Sequence, residues 1–267
     1  MQAGLRKFAT LDALRGVAAI LVVMRHTESF FGFSLYNSYL AVDFFYILSG
    51  FVLAHNYEKR LVENLSPSEF LKIRFIRLYP LYLLSFVLIL ITFALGIRFT
   101  SEVPDSVFNA SLIYGLFMLP FFMGSMYIFP INTIAWSLFF ELFGNYFYAF
   151  FAKFLTTRNL IISVIICAPI YFSGAFIALP DATLDIGWRG SNFFFGIFRF
   201  WLSFGLGLLI YRKFKADGMK EENNSTLFIR IALFLAIVLM HPKLPMGLTF
   251  IANIIEILVI FPAIVYY

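Results

Sequence analysis

The sequence predicts an all-α, polytopic transmembrane helix bundle, and three observations carry that prediction. Of the 267 residues, 61% are hydrophobic and only 13% are charged. The mean hydropathy is +0.88, far outside the soluble range. The apolar residues are gathered into runs close to the ~20 residues that a bilayer-spanning helix needs. The net charge of +5 comes from lysines and arginines that flank those runs. That placement orients helices and argues against nucleic-acid binding, because no basic stretch stands away from a membrane flank. A single cysteine, Cys167, excludes an internal disulfide and a multi-cysteine metal site, and three histidines leave little room for zinc.

The first run, 11–31, reads LDALRGVAAILVVMRHTESFF. Arg6 and Lys7 ahead of it give the outline of a signal peptide, but Asp12 and Arg15 interrupt the apolar part and no small-residue cleavage site follows. It is read as a retained helix. Asp12 and Arg15 sit at one end, and Arg25, His26 and Glu28 at the other. Ionised side chains inside a membrane segment cost roughly 2.5 to 3.5 kcal/mol each on insertion scales, so they face a bundle interior and often mark a working pathway. Arg15 and His26 are eleven positions apart, which at about 100° per residue is three turns plus roughly 20°. Both therefore project from one face, about 16 Å apart along the axis, which is half a bilayer core.

Further spans are expected at 40–56, 79–97, 136–154, 160–179, 193–211, 227–241 and 246–267. Small Ser49 and Gly50 in the second let helices approach closely. Before the third, Ser66 and Glu69 form a Ser-x-x-Glu capping box with Pro67 at the first helical position. The helix that follows over 66–80 is amphipathic, and Arg74 and Arg77, three apart, share a face. At a membrane surface that pair suits either lipid phosphates or a phosphorylated cofactor.

The stretch 107–124 is apolar enough to span, yet Asn109, Ser111, Gly115, Pro120 and Gly124 punctuate it. The positive-inside rule arbitrates. If it does not cross, the basic residues near 6–7, 59–60, 72–77, 153–158 and 212–220 all fall inside, against Arg98, Arg189 and Lys243 outside. If it crosses, the bias largely disappears. It is read as a re-entrant or outer-face helix, giving eight spans with both termini cytoplasmic. No repeat or linker divides the chain, so 1–267 is taken as one domain.

In the run 136–154, Ser137, Glu141, Asn145 and Tyr148 form a polar stripe on one helix face, which should line a cavity. In the adopted topology His26, Glu28, Asp43 and Glu141 all lie towards outer ends and can meet. A neutral imidazole near a carboxylate is the arrangement for general-base work on a hydroxyl. His55 and His241 sit at span ends and are read as interfacial. Arg199 and Glu256 are intramembrane charges with no partner evident in the sequence.

Four stretches resemble the acyltransferase 3 family of bacterial integral-membrane acyltransferases, the group that includes O-acetyltransferases of surface polysaccharides. LDALRGVAAILVVMRH is similar to the family's first-helix motif, with its Arg-x10-His spacing at Arg15 and His26. AVDFFYILSGFVL resembles the second-helix signature, IRFIRLYP supplies Arg-x-x-Arg-x-x-Pro at Arg74, Arg77 and Pro80, and WSLFFE carries Trp-Ser-Leu-x-x-Glu ending at Glu141. The resemblance implies a multi-pass enzyme of the bacterial inner membrane that moves an acyl group, usually acetyl, from cytoplasmic acyl-CoA to a hydroxyl of an extracytoplasmic glycan or glycolipid. It implies no permanently bound cofactor. By resemblance His26 is the catalytic histidine, as base or acyl carrier, Arg15 is its required partner, and Glu141 is an acidic site residue. Arg74 and Arg77 lie near the CoA phosphates at the cytoplasmic face. Family members commonly carry more spans than the eight counted here, and the chain ends inside an apolar run at Tyr266 and Tyr267, which points to a shortened member or a fragment. The rival classes are a membrane transporter, built from the same buried charges but normally on inverted repeats that this sequence lacks, and a non-catalytic membrane subunit.

Charge counting alone makes a topological prediction. In a Cys167-free variant, cysteines placed at Lys59 and Lys213 are protected from an impermeant reagent added outside, and cysteines at Asp105 and Asp185 are labelled. Outside labelling at Lys213 would mean that 107–124 crosses.

Overall fold

The computed structural model describes residues 9–27, 32, 35–96, 103–178, 183–218, 225–240 and 244–267, and those residues are helical with short connections. In chain order the helices are α1 (Ala9–His26), α2 (Ala41–Glu63), α3 (Pro67–Ala94), α4 (Asp105–Leu116), α5 (Ala135–Phe151), α6 (Thr157–Ala178), α7 (Phe193–Ala216), α8 (Ser225–Met240), α9 (Met246–Ile255) and α10 (Phe261–Tyr266). A 3₁₀ turn, Ser38–Leu40, leads into α2, another, Gly190–Asn192, leads into α7, and a π turn, Glu256–Ile260, joins α9 to α10. Five segments among the described residues are long and apolar enough to cross a membrane: 38–63, 67–94, 157–178, 190–216 and 246–266. α1, α5 and α8, at 18, 17 and 16 residues, lie at the lower bound of a spanning length. The architecture is the polytopic helical bundle that the composition predicts. His241 and Glu28 lie outside the described residues.

By contacts the chain falls into two compact units, one of Met1–Arg60, Phe154–Asp185 and Arg199–Tyr267, the other of Leu61–Lys153 and Ile186–Phe198. In the first unit, α2 and α7 cross with backbone against backbone. A Cβ at Gly50 would collide with the Phe204 carbonyl, and one at Gly207 with the Ile47 carbonyl. Small residues are what permit such an approach in lipid, where apolar side chains gain nothing by leaving the hydrocarbon and close packing must hold helices together. Gly205 makes similar room for Val164 of α6. Ring pairs carry the packing outward from this crossing, Tyr46 edge-on to Phe200 at 4.8 Å and Phe44 against Phe261 at 4.9 Å. Trp201 Nε1 donates to Ser163 Oγ at 3.0 Å. At the far end of α7, the Tyr266 hydroxyl and the Lys213 ammonium both donate to Asp217 and hold its carboxyl below the usual range.

In the second unit, the sequence reading separated an amphipathic helix at 66–80 from a span at 79–97. The structure joins them in the 28-residue α3, with Pro80 inside it. Proline removes one N–H from the ladder, a loss that membrane helices tolerate when neighbouring groups re-satisfy the backbone. The capping box is present: Glu69 N–H donates to Ser66 Oγ at 3.3 Å and Ser66 N–H to Glu69 Oε2 at 3.0 Å. α3 packs along α5 and receives α4 through Phe93 and Phe108, stacked at 3.8 Å. α4 has 12 residues, about 18 Å of helix, short of the ~30 Å hydrocarbon core. Its last carbonyls are met by the chain that follows, Phe117 N–H to Ile113 O at 3.2 Å, Leu119 N–H to Tyr114 O at 2.8 Å and Met118 N–H to Gly115 O at 3.0 Å, and by α3: Tyr82 OH donates to Gly115 O, and Tyr79 OH to Leu116 O at 2.6 Å. The chain after α4 is non-helical, and its backbone bonds both within itself and to 186–190. Phe121 N–H reaches Ile128 O at 2.8 Å, Ile128 N–H reaches Trp188 O at 3.2 Å, and Gly190 N–H reaches Met126 O at 3.3 Å. A re-entrant or outer-face helix was expected at 107–124, and the helix there is too short to cross by its own length.

Candidate active site

α1 is one unbroken helix from Ala9 to His26, so the Arg-x10-His spacing becomes geometry: Arg15 and His26 share a face, and the His26 side chain is exposed at the helix end. The residue before it is tethered. Arg25 donates through Nη2 to Asp185 Oδ2 at 2.6 Å and through Nη1 to the Tyr36 carbonyl at 3.2 Å, with its guanidinium 5.2 Å from the centre of the Tyr39 ring.

Behind this tether lies a pair that the sequence left unassigned. Arg199 of α7 and Asp43 of α2 are both 0% exposed and joined at 2.7 Å. Arg199 Nε also donates to both Asp43 oxygens, at 3.2 and 3.1 Å, and Nη2 donates to the Tyr39 carbonyl at 2.9 Å. Ser203, one turn further along α7, donates to Asp43 Oδ1 at 3.1 Å. Arg199 Nη1 stands 3.7 Å from Asp185 Oδ1, which links the buried pair to the tether. The Tyr39 hydroxyl accepts from Asn253 Nδ2 of α9 at 2.6 Å. Two arginines and two aspartates thus alternate in sign and sum to zero. Asp43, one of the carboxylates that the sequence places towards the outer ends with His26, accepts from Arg199 and Ser203. The one sequence signal for the partnership was depth, since both residues fall within two turns of the same expected face.

Glu141 belongs to the second unit, where it meets Arg74. Arg74 Nη2 donates to Glu141 Oε1 at 2.7 Å, with the arginine 2% and the glutamate 17% exposed. The sequence reading kept these residues on opposite sides of the membrane, and that separation is corrected here. The reason is the fusion of the amphipathic segment into α3. Arg74 stands seven residues, about 10 Å, inside that helix, and Glu141 ten residues, about 15 Å, before the end of α5 at Phe151. Nor do Arg74 and Arg77 share surroundings, because Arg77 is exposed. The stripe beyond Glu141 is interior, with Asn145 and Tyr148 both 0% exposed. Glu256, at the start of the π turn, is buried with both carboxylate oxygens lacking a hydrogen-bond donor among the described residues.

The Arg74–Glu141 pair predicts a non-additive stability pattern. Arg74→Met should destabilise the protein by about 3 kcal/mol, at the lower end for a broken buried pair because Glu141 keeps some exposure. Arg74→Met combined with Glu141→Leu should recover most of that loss. Thermal unfolding of the purified variants in detergent reads both.

Comparison with known proteins comes down on one family. A family model described as an acyltransferase domain matches residues 8–266. "Protein 2 in picA locus" of Rhizobium radiobacter is 38% identical over 184 residues, 63% of this chain and 95% of the relative. No solved structure matches. This chain, whose described residues are helical with several membrane-length helices, is matched almost from end to end by that domain and belongs to the acyltransferase 3 family of integral-membrane acyltransferases.

Proposed function

We propose that the protein transfers an acyl group, acetyl as in most of the resembling family, from cytoplasmic acyl-CoA to a hydroxyl of an extracytoplasmic glycan or glycolipid, with His26 at the reacting centre. This reading places the chain in the bacterial inner membrane with its N-terminus cytoplasmic. The observation that supports it most is α1, which carries Arg15 and His26 on one face about 16 Å apart and ends in an exposed imidazole. The pantetheine arm of CoA is an extended chain of comparable length, so Arg15 suits the donor's course and His26 its thioester.

As a base, the His26 imidazole takes the acceptor's hydroxyl proton while the oxygen bonds to the thioester carbon. The C–S bond breaks, and the imidazolium returns the proton to the CoA thiolate. As a carrier, an imidazole nitrogen first displaces CoA and then passes the acyl group to the hydroxyl. Arg77, exposed on α3, suits the CoA phosphates, whereas Arg74 and Glu141 enter as a pair whose charges already answer each other.

Purified protein in detergent, supplied with acyl-CoA and acceptor, tests the reading. Transfer is lost in His26→Ala, and a correctly inserted His26→Ala that works at the parent rate overturns the assignment. No turnover of acyl-CoA by the parent protein would favour the transporter. An isolable acyl-enzyme in the absence of acceptor identifies the carrier route, and its absence the base. In the same assay Arg77→Lys raises the acyl-CoA KM roughly tenfold, about 1.4 kcal/mol, because lysine cannot reproduce the guanidinium's paired hydrogen bonds to phosphate.

A further inference from the structure

The geometry points to Asp185 as the positioning residue of the proposed catalytic centre, a loop carboxylate that fixes the last turn of α1 and offsets the charge of Arg25 beside His26. This inference rests on the reading of His26 given above. Asp185 lies 160 positions from Arg25 and is 16% exposed. Its two oxygens are used in different directions, Oδ2 towards Arg25 at 2.6 Å and Oδ1 towards Arg199 at 3.7 Å. Arg199 is itself immobilised on Asp43 and the Tyr39 carbonyl. The loop is anchored one residue earlier, where Tyr171 OH of α6 donates to the Leu184 carbonyl at 3.0 Å. Asp185 therefore ties the free end of α1 to the most deeply buried pair of the first unit.

The position of that end has a chemical consequence. His26 must accept a proton or an acyl group, and in either case its ring acquires positive charge as the reaction proceeds. Among the described residues, the charged groups acting on the ring are Arg25 from its own helix and Asp185 from the loop. Arg199, Asp43 and the Tyr39 phenol stand behind them. Left alone, the adjacent guanidinium would oppose an imidazolium. Asp185 offsets part of that opposition, and the same bond holds the ring's backbone in place. Both effects act through neighbouring groups, so the assigned role is positioning and not contact with the substrate.

The acyl-transfer assay on the purified full chain tests this with four variants. Asp185→Asn lowers kcat between about tenfold and a hundredfold, the scale of a slightly misplaced catalytic group, and leaves the acyl-CoA KM unchanged. Asp185→Glu, which keeps the charge, restores much of the rate. Arg25→Gln with Asp185→Asn is faster than Asp185→Asn alone, because the uncompensated cation has gone with its partner. A merely structural tie predicts the reverse, a double variant at least as slow as the worse single one. Thermal unfolding in detergent confirms that the compared proteins are folded, and Asp185→Ser, which also removes the charge, takes the place of Asp185→Asn if that variant is not. His26→Ala in the same assay separates the two ideas. If it is inactive while Asp185→Asn runs at the parent kcat, the positioning role is overturned and His26 stands. If His26→Ala is active, the reading on which the inference rests has failed first.

Discussion

Much of the first unit depends on one buried ion pair, Asp43 with Arg199. Both are sealed from solvent, in a protein whose surroundings are themselves largely hydrocarbon. Removing two such ions from water costs several kcal/mol each, and their attraction offsets this only when the remaining hydrogen-bonding capacity is used. Here it is used: Asp43 accepts from Arg199 and Ser203, and Arg199 donates also to the Tyr39 carbonyl. Those demands fix the rotation of α2 against α7, and the glycine crossing at Gly50 and Gly207 fixes their separation. With rotation and separation set, the Tyr39 turn is set too. The ring that Arg25 lies over and the hydroxyl that Asn253 reaches then follow.

Six of the described charges are organised as neutral groups. Arg25, Asp185, Arg199 and Asp43 form one, and Arg74 with Glu141 another. An unpaired ion would be expelled towards water, whereas a neutral set can be kept at depth. Outside these sets, His26 and Arg77 are exposed. The division is between groups that hold the frame and groups that can meet substrates.

Most of the architecture was legible because bilayer thickness turns apolar length into a ruler. The eight expected spans correspond to five membrane-length segments and to the shorter α1, α5 and α8. Ser66 and Glu69 announced the start of α3 in plain sequence, since a capping box is local. The amphipathic segment 66–80 and the span 79–97 were read as separate because their patterns differ, although one helix carries both. The second span was drawn too short at 40–56, since the polar residues from Tyr57 to Glu63 continue α2 beyond its apolar part. At the site, the Arg15–His26 register was legible from helical periodicity. Asp43 with Arg199, 156 positions apart, was not, and neither was Asp185 with Arg25 or Arg74 with Glu141. Pairings of that kind are decided by helix rotation and depth, which no single segment encodes.

The short α4 imposes an order on assembly. A helix of 12 residues is too brief to be lodged in a bilayer by its own length, and the irregular chain that follows it to 134 has peptide groups that lipid cannot satisfy. Its terminal carbonyls find donors in Tyr79 and Tyr82 besides the N–H groups of 117–119, and its successor finds partners within itself and in 186–190. α3 must therefore be in place before α4 can settle. The loop that completes the arrangement is synthesised more than fifty residues later. Until the ribosome delivers it, the segment between α4 and α5 is a nascent chain waiting at the membrane for its partner.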